Sequence, residues 1–174
     1  MKVKTFLFFA CLLFSIAACK QKAITETSAA PEVTDLYDLI ANSSTKFDSV
    51  FAKSLGASEH GMHQYVMAFL KKGPNRNQDS TTAANLQKAH MDNIIRMANE
   101  GKLVLAGPFM DDGEIRGIYI FNVATVEEAQ ALTATDPAIQ AGRLAMELHP
   151  WYGSATLPLI TPLHKRLEKT SVAK

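Results

Sequence analysis

Two side chains in this sequence combine a suitable type with a suitable place for proton transfer: His90 and Asp136. Imidazole gains and loses its proton near neutral pH. A carboxylate accepting one ring N–H fixes the tautomer and stabilises the imidazolium. The spacing around His90 turns it inward. At about 100° per residue, Leu86, Met97, His90, Ala83 and Ile94 fall within an arc of roughly 80° on a helix expected over Thr81–Glu100. A histidine in such a stripe faces the core, where burial disfavours its charged form and a ring N–H needs an acceptor. A core histidine with purely structural partners is the plain alternative. Asp136 precedes Pro137, the usual start of a helical turn, with the carboxylate accepting free N–H groups and proline in first position. Capping and facing a cleft are compatible roles for it.

Other side chains carry weaker signals. Arg116 and Arg143 are candidates to bind an anionic substrate, with a solvated or ion-paired arginine as the bland reading. His149, before Pro150-Trp151-Tyr152, either lines a cleft or packs. His60 and His63 lie three apart without further ligand types nearby, so no metal site is expected. No cofactor is expected either. Ser154 and Thr156 lack a surrounding nucleophile motif, and no G-x-S-x-G occurs. A histidine without a nucleophile suits proton abstraction, elimination or isomerisation of a small molecule.

The elements that must position these groups follow from periodicity and punctuation. Gln64–Lys71 reads as a strand stopped by Gly73-Pro74. The helix Thr81–Glu100 ends at Gly101. Strands over Lys102–Phe109 and Ile115–Val123 flank the turn signal Asp111-Asp112-Gly113. Thr125 and Glu128 match a capping box opening a helix through Leu132, a short turn runs from Asp136 towards Gly142, and Leu144–Trp151 reads as the last strand. The order β-α-β-β-α-β predicts an α+β, ferredoxin-like domain with a four-stranded antiparallel sheet. Its two helices cover one sheet face. Val66 to Leu70 are consecutively apolar, so the second face needs cover too, and pairing of two copies through their sheets is the simplest way to supply it.

Outside that domain, Lys2 and Lys4 precede the uncharged apolar run Thr5–Ala18, which ends in Ile16-Ala17-Ala18-Cys19. It is shorter than the roughly 20 residues a membrane span needs. Small residues before a cysteine resemble a bacterial lipobox. Residues 1–18 are expected to be a signal peptide and Cys19 a lipidated residue, leaving the protein anchored in the cell envelope; the alternative is ordinary cleavage and a secreted or periplasmic protein. Cleavage would leave 16 basic against 17 acidic residues and only Cys19 of the two cysteines. No thiol nucleophile, disulfide or cysteine-ligated metal is then expected in the mature domain. The near-neutral balance supplies no excess of positive charge for a nucleic-acid partner. Residues 19–44 are expected to be a polar linker and 45–62 a short amphipathic helix built on Phe47, Val50, Phe51 and Leu55. Residues 63–153 form the domain proper, and 154–174, with Pro158 and Pro162, a tail.

The stretch His63–Gly153 resembles the YciI-like family (the YCII-related domain) within the dimeric α/β-barrel superfamily. The residues that carry the resemblance are the helix with His90, the run Glu100-Gly101-Lys102-Leu103-Val104-Leu105-Ala106-Gly107-Pro108, the segment Gly117-Ile118-Tyr119-Ile120-Phe121, Val126-Glu127-Glu128-Ala129, and Asp136-Pro137-Ala138-Ile139-Gln140-Ala141-Gly142. The resemblance implies a homodimer whose paired sheets form a barrel, and an active-site His-Asp pair at His90 and Asp136. It also implies a cofactor-independent lyase or isomerase, elimination on a hydroxylated ring being the style of activity that fits. A non-enzymatic module of the envelope, binding a small ligand or mediating dimerisation, is the alternative.

Overall fold

Among the described residues, four helices begin on a side-chain acceptor, which fixes where each starts. In α1 (Ser49–Ser54) the acceptor is Asp48, in α2 (Ser80–Asn99) Asp79, in α3 (Val126–Thr133) Thr125, and in α4 (Pro137–Gln140) Asp136. Thr125 and Glu128 form the expected capping box, satisfying each other's backbone N–H. Asp79 accepts from the N–H groups of Thr81 and Thr82 at 2.9 and 3.0 Å. The Thr82 N–H and hydroxyl, more than the remaining contacts, hold its carboxyl below the ordinary range. These elements belong to a computed structural model that describes Asp38 and residues 46–171, within the unit spanning Pro31–Lys174. The expected signal peptide 1–18, Cys19 and the linker, apart from Asp38, lie outside the described residues.

Four strands, β1 (Met62–Lys72), β2 (Leu103–Pro108), β3 (Ile115–Phe121) and β4 (Leu144–Ser154), form one antiparallel sheet in the order β2-β3-β1-β4. This is the ferredoxin-like arrangement the element order predicted. Strand alternation sorts the side chains onto two faces. On the helix-covered face Val66, Ala68, Tyr119 and Phe121 pack with Leu103 and with Met97 and Ala129 of α2 and α3. Fully burying a side chain such as Met97 or Phe121 contributes about 1.5–3 kcal/mol. On the opposite face Tyr65, Val104 and Ile120 form a second cluster with Met67, Leu105, Trp151 and Leu157. A bulge between Leu103 and Leu105 accompanies Val104's turn to this side.

Leu157 in that cluster corrects the expectation of a tail. Residues 157–159 form a 3-10 turn, and α5 (Ile160–Lys165) follows, with Ala155 and Leu159 buried. The stretch Ala155–Leu163 carries no charge and four large aliphatic residues, so folding it back removes apolar surface from water. Its prolines are no obstacle. Pro158 and Pro162 both fall in first turns, where a missing N–H breaks no helical bond. Part of the second sheet face is thereby covered by the chain itself. The N-terminal helix also departs from expectation: it is only six residues long, and Phe47 and Val50 are exposed.

The loop after β1 lies tightly on the end of α4. Gly73 N–H donates to the Arg143 carbonyl at 3.0 Å and Asn75 N–H to that of Gly142 at 2.9 Å. A Cβ on Gly73 would run into the Gly142 carbonyl oxygen, and Gly142 has φ +67°. Glycine is therefore required at both points for backbone reasons.

Candidate active site

Asp136 connects the fold to the chemistry. Its Oδ1 accepts from the N–H groups of Ala138 (2.8 Å) and Ile139 (3.4 Å), starting α4, while its Oδ2 lies 2.6 Å from His90 Nδ1 on α2. One carboxylate oxygen thus caps α4, as expected, and the other meets His90. Burial pushes its carboxyl up, but the hydrogen bond and charge of His90, together with the Ala138 and Ile139 N–H groups, outweigh this and hold it below the ordinary carboxylate range. An ionised carboxylate only accepts, so His90 Nδ1 carries a proton and donates it. In its neutral form the ring then presents a lone pair at Nε2.

That lone pair faces Tyr119, whose hydroxyl donates to it at 3.3 Å. Tyr119 comes from β3, opposite Ala68 of β1, and its ring lies nearly parallel to the imidazole, with centroids 6.3 Å apart at 19°. Burial first, and the Asp136 charge second, raise its phenol far above the ordinary range, so it remains a neutral donor. The result is a carboxylate–imidazole–phenol chain inside the layer between sheet and helices. It is sealed: His90 is 5% exposed, Tyr119 2% and Asp136 1%. The two contacts differ in strength. A charge-assisted bond of 2.6 Å is short, whereas 3.3 Å is long for a hydroxyl donor, so Nε2 is the end open to exchange.

A second network holds the same elements together. Arg96 Nη2 donates to Asn93 Oδ1 (2.8 Å) and Thr135 Oγ1 (2.9 Å), while its Nη1 contacts both oxygens of Glu100 at 2.9 Å. This ties α2 to the residue immediately before Asp136.

Residues 65–151 match the YCII-related domain, half of the chain. The chain belongs to that family. Among solved structures it is similar to a 5-chloro-2-hydroxyhydroquinone dehydrochlorinase from Burkholderia phenoliruptrix AC1100, in complex with 2,5-dihydroxybenzoquinone. The identity is 17%, the coverage 49% of this chain and 92% of that one, and the TM-score 0.38. No curated protein matches the chain.

In this YCII-related domain His90 and Asp136 meet, but the other candidates do not join them. Arg116 and His149 project from the opposite sheet face, with Ile118 and Met67 as their same-face neighbours along or across strands. Arg116 Nη1 closes the hairpin turn onto the carbonyls of Asp111 (3.0 Å) and Gly113 (3.3 Å). His149 Nε2 lies 2.9 Å from Glu147, which also binds Lys71. As substrate ligands for this pair within one protomer, both are corrected by strand parity. Arg143 stands just beyond α4, where Nη1 donates to Gln78 Oε1 at 2.9 Å and helps fasten the loop before α2. His63 contacts the Gly56 carbonyl through Nδ1, and His60 pairs with Glu59; among the described residues no three His, Cys, Asp or Glu side chains converge.

Neither of two described cavities reaches the pair. One of about 420 Å³ lies by the start of β1, bordered by His63, Gln64, Asn122 and Tyr152. Another of about 270 Å³ lies between α2, β2 and α5, lined by Ile94, Leu105 and Ile160. Sequence reasoning missed Tyr119 and Asn93 as members of the site. Tyr119 shares the parity of Phe121, and Asn93 falls three residues after His90, the signals that place each on a buried face.

Asp136 has a clear stability signature. A carboxyl held below its usual 3.8 contributes stability that is present above that pH and lost as the pH falls through the folded-state value. In Asp136→Asn the oxygen can serve either α4 or His90, and the amide N–H₂ then opposes a ring N–H. Urea unfolding should find this variant destabilised by about 3 kcal/mol at pH 7, with a flatter loss below pH 4. An unchanged acid limb would show that the carboxylate is not held by its partners.

Proposed function

We propose that the domain catalyses cofactor-independent proton transfer on a small molecule, as a lyase or isomerase, with His90 as general base and acid. The observation that carries this reading is the buried 2.6 Å contact between His90 Nδ1 and Asp136. It leaves Nε2 as an oriented base. Substrate takes the place of the long Tyr119 contact, and Nε2 accepts a proton from it. Asp136 balances the imidazolium that results, and the proton returns to another atom of the substrate or to a leaving group. Positioned general acid–base catalysis supplies about 10²–10⁴ in rate. A thermal-shift screen of a metabolite library, followed by turnover assays on the hits, provides substrates. His90→Gln should retain the fold and lose about 10²–10⁴ of kcat/KM. Activity that survives the change removes His90 from the mechanism.

The burial of all three groups favours a second reading, a module of the envelope that binds a small ligand or dimerises without turnover. It is distinguished by ligand-dependent stabilisation of the wild type with no product formed.

The same proposal includes a homodimer. The sheet face away from the helices carries half-buried Met67, Phe69 and Ile118, and Gly107 there has open space around it. Phe69→Glu should convert a dimer to a monomer in light scattering; a variant of unchanged mass places the interface elsewhere. We further infer that Cys19 anchors the mature protein to an envelope membrane. Cys19→Ala should move it from the membrane to the soluble fraction, and continued membrane association would refute the anchor.

A further inference from the structure

One donor beside the pair has no acceptor. Asn93 is 7% exposed, and among the described residues its Nδ2 is a buried side-chain nitrogen without a hydrogen-bond partner. Turning the amide over does not help. Arg96 Nη2 lies 2.8 Å from the other amide atom, and a guanidinium only donates, so that atom is the oxygen. Thr135 Oγ1, at 3.1 Å, is on the same side. The nitrogen therefore points away from Arg96 and Thr135. A buried N–H₂ without an acceptor is destabilising to the free protein and calls for a reason.

Its location supplies one. His90, Asn93 and Met97 are the buried residues of α2, so Asn93 stands one turn from the imidazole on the same stripe. Its partner Thr135 adjoins Asp136. Through its oxygen Asn93 links the two segments that hold the pair. The Arg96 charge on the amide oxygen also polarises the group and strengthens its N–H as a donor.

We propose that Asn93 Nδ2 binds the substrate oxygen on which negative charge gathers, and that the substrate is a small ketone or hydroxyketone. The step rests on the acid–base reading above. The C–H bond next to the carbonyl breaks, its proton passes to His90 Nε2, and its electron pair moves into the carbonyl to leave an enolate oxygen. Asn93 donates to that oxygen, in the manner of an oxyanion site. No oxidant or second reactant is required.

The test uses full-length ¹⁵N-labelled protein with cyclohexanone and 2-hydroxyacetophenone as probes. The Asn93 side-chain N–H₂ signals, assigned by their loss in Asn93→Asp, should shift on titration. Asn93→Asp keeps an oxygen for Arg96 and Thr135, so the free variant should melt within about 2 °C of wild type or above it. It should bind the probes about tenfold more weakly, the worth of one hydrogen bond. N–H₂ signals unmoved by either probe, or equal affinity in the variant, overturn the proposal and leave Asn93 to an ordered water. Deuterium exchange at the carbon beside the carbonyl, followed in D₂O, separates this from the parent reading. Probe binding at Asn93 without exchange refutes the acid–base role of His90 and keeps the donor. Exchange undiminished in Asn93→Asp refutes the donor and keeps His90.

Discussion

The bond between His90 and Asp136 joins two residues 46 positions apart, and the local structure is arranged around it. Asp136 cannot reach His90 unless α4 starts where it does, because the same carboxylate caps that helix. The start of α4 depends in turn on the turn that closes α3, where Asp136 N–H donates to the Thr133 carbonyl at 3.0 Å. At its other end α4 stops at Gly142, against which the loop carrying Gly73 packs. The buried pair is therefore held by backbone on both sides. An ionised carboxylate in such a place is tolerated because every strong contact it makes is with a donor.

The layer that contains the pair was legible in large part from spacing. Leu86, His90, Ile94 and Met97 mark one stripe, and α2 buries His90, Asn93 and Met97 along it. Asp136-Pro137 announced a cap, and it is one. Strand order followed from element order, because the β-α-β-β-α-β succession has few antiparallel solutions that cover one face with two helices. What spacing could not supply was partner choice. Tyr119 faces His90 because β3 pairs with β1 in a register that sets it opposite Ala68, and register is a property of two strands together. Arg116 and His149 failed as companions of the pair for the same reason: a single step along a strand moves a side chain to the other face.

The C-terminal segment was misread for a different reason. Pro158 and Pro162 suggested a tail, yet the segment needs little regular structure to cover an apolar patch. Leu157 and Leu159 supply the surface, and one 3-10 turn followed by a six-residue helix supplies enough geometry. Burial, rather than helix propensity, decided the outcome. The two faces of the sheet consequently differ in character. One holds the ionic chain under helices, while the other is partly self-covered and carries Lys71, Glu147 and His149 in a charged row, where Lys71 chiefly, with His149, holds the Glu147 carboxyl below its ordinary range.

Thr161 of α5 lies with its hydroxyl 3.4 Å from the carbonyl oxygen of Val104 in the outermost strand β2. That strand ends the sheet, and an exposed sheet end is a template on which foreign backbone can add and grow into aggregates. With the C-terminal helix resting there, one of the two rims of the sheet is guarded by the chain's own last turns. Trimming those turns would therefore bare that rim to foreign backbone, even though no part of the ionic chain beneath the helices had been touched.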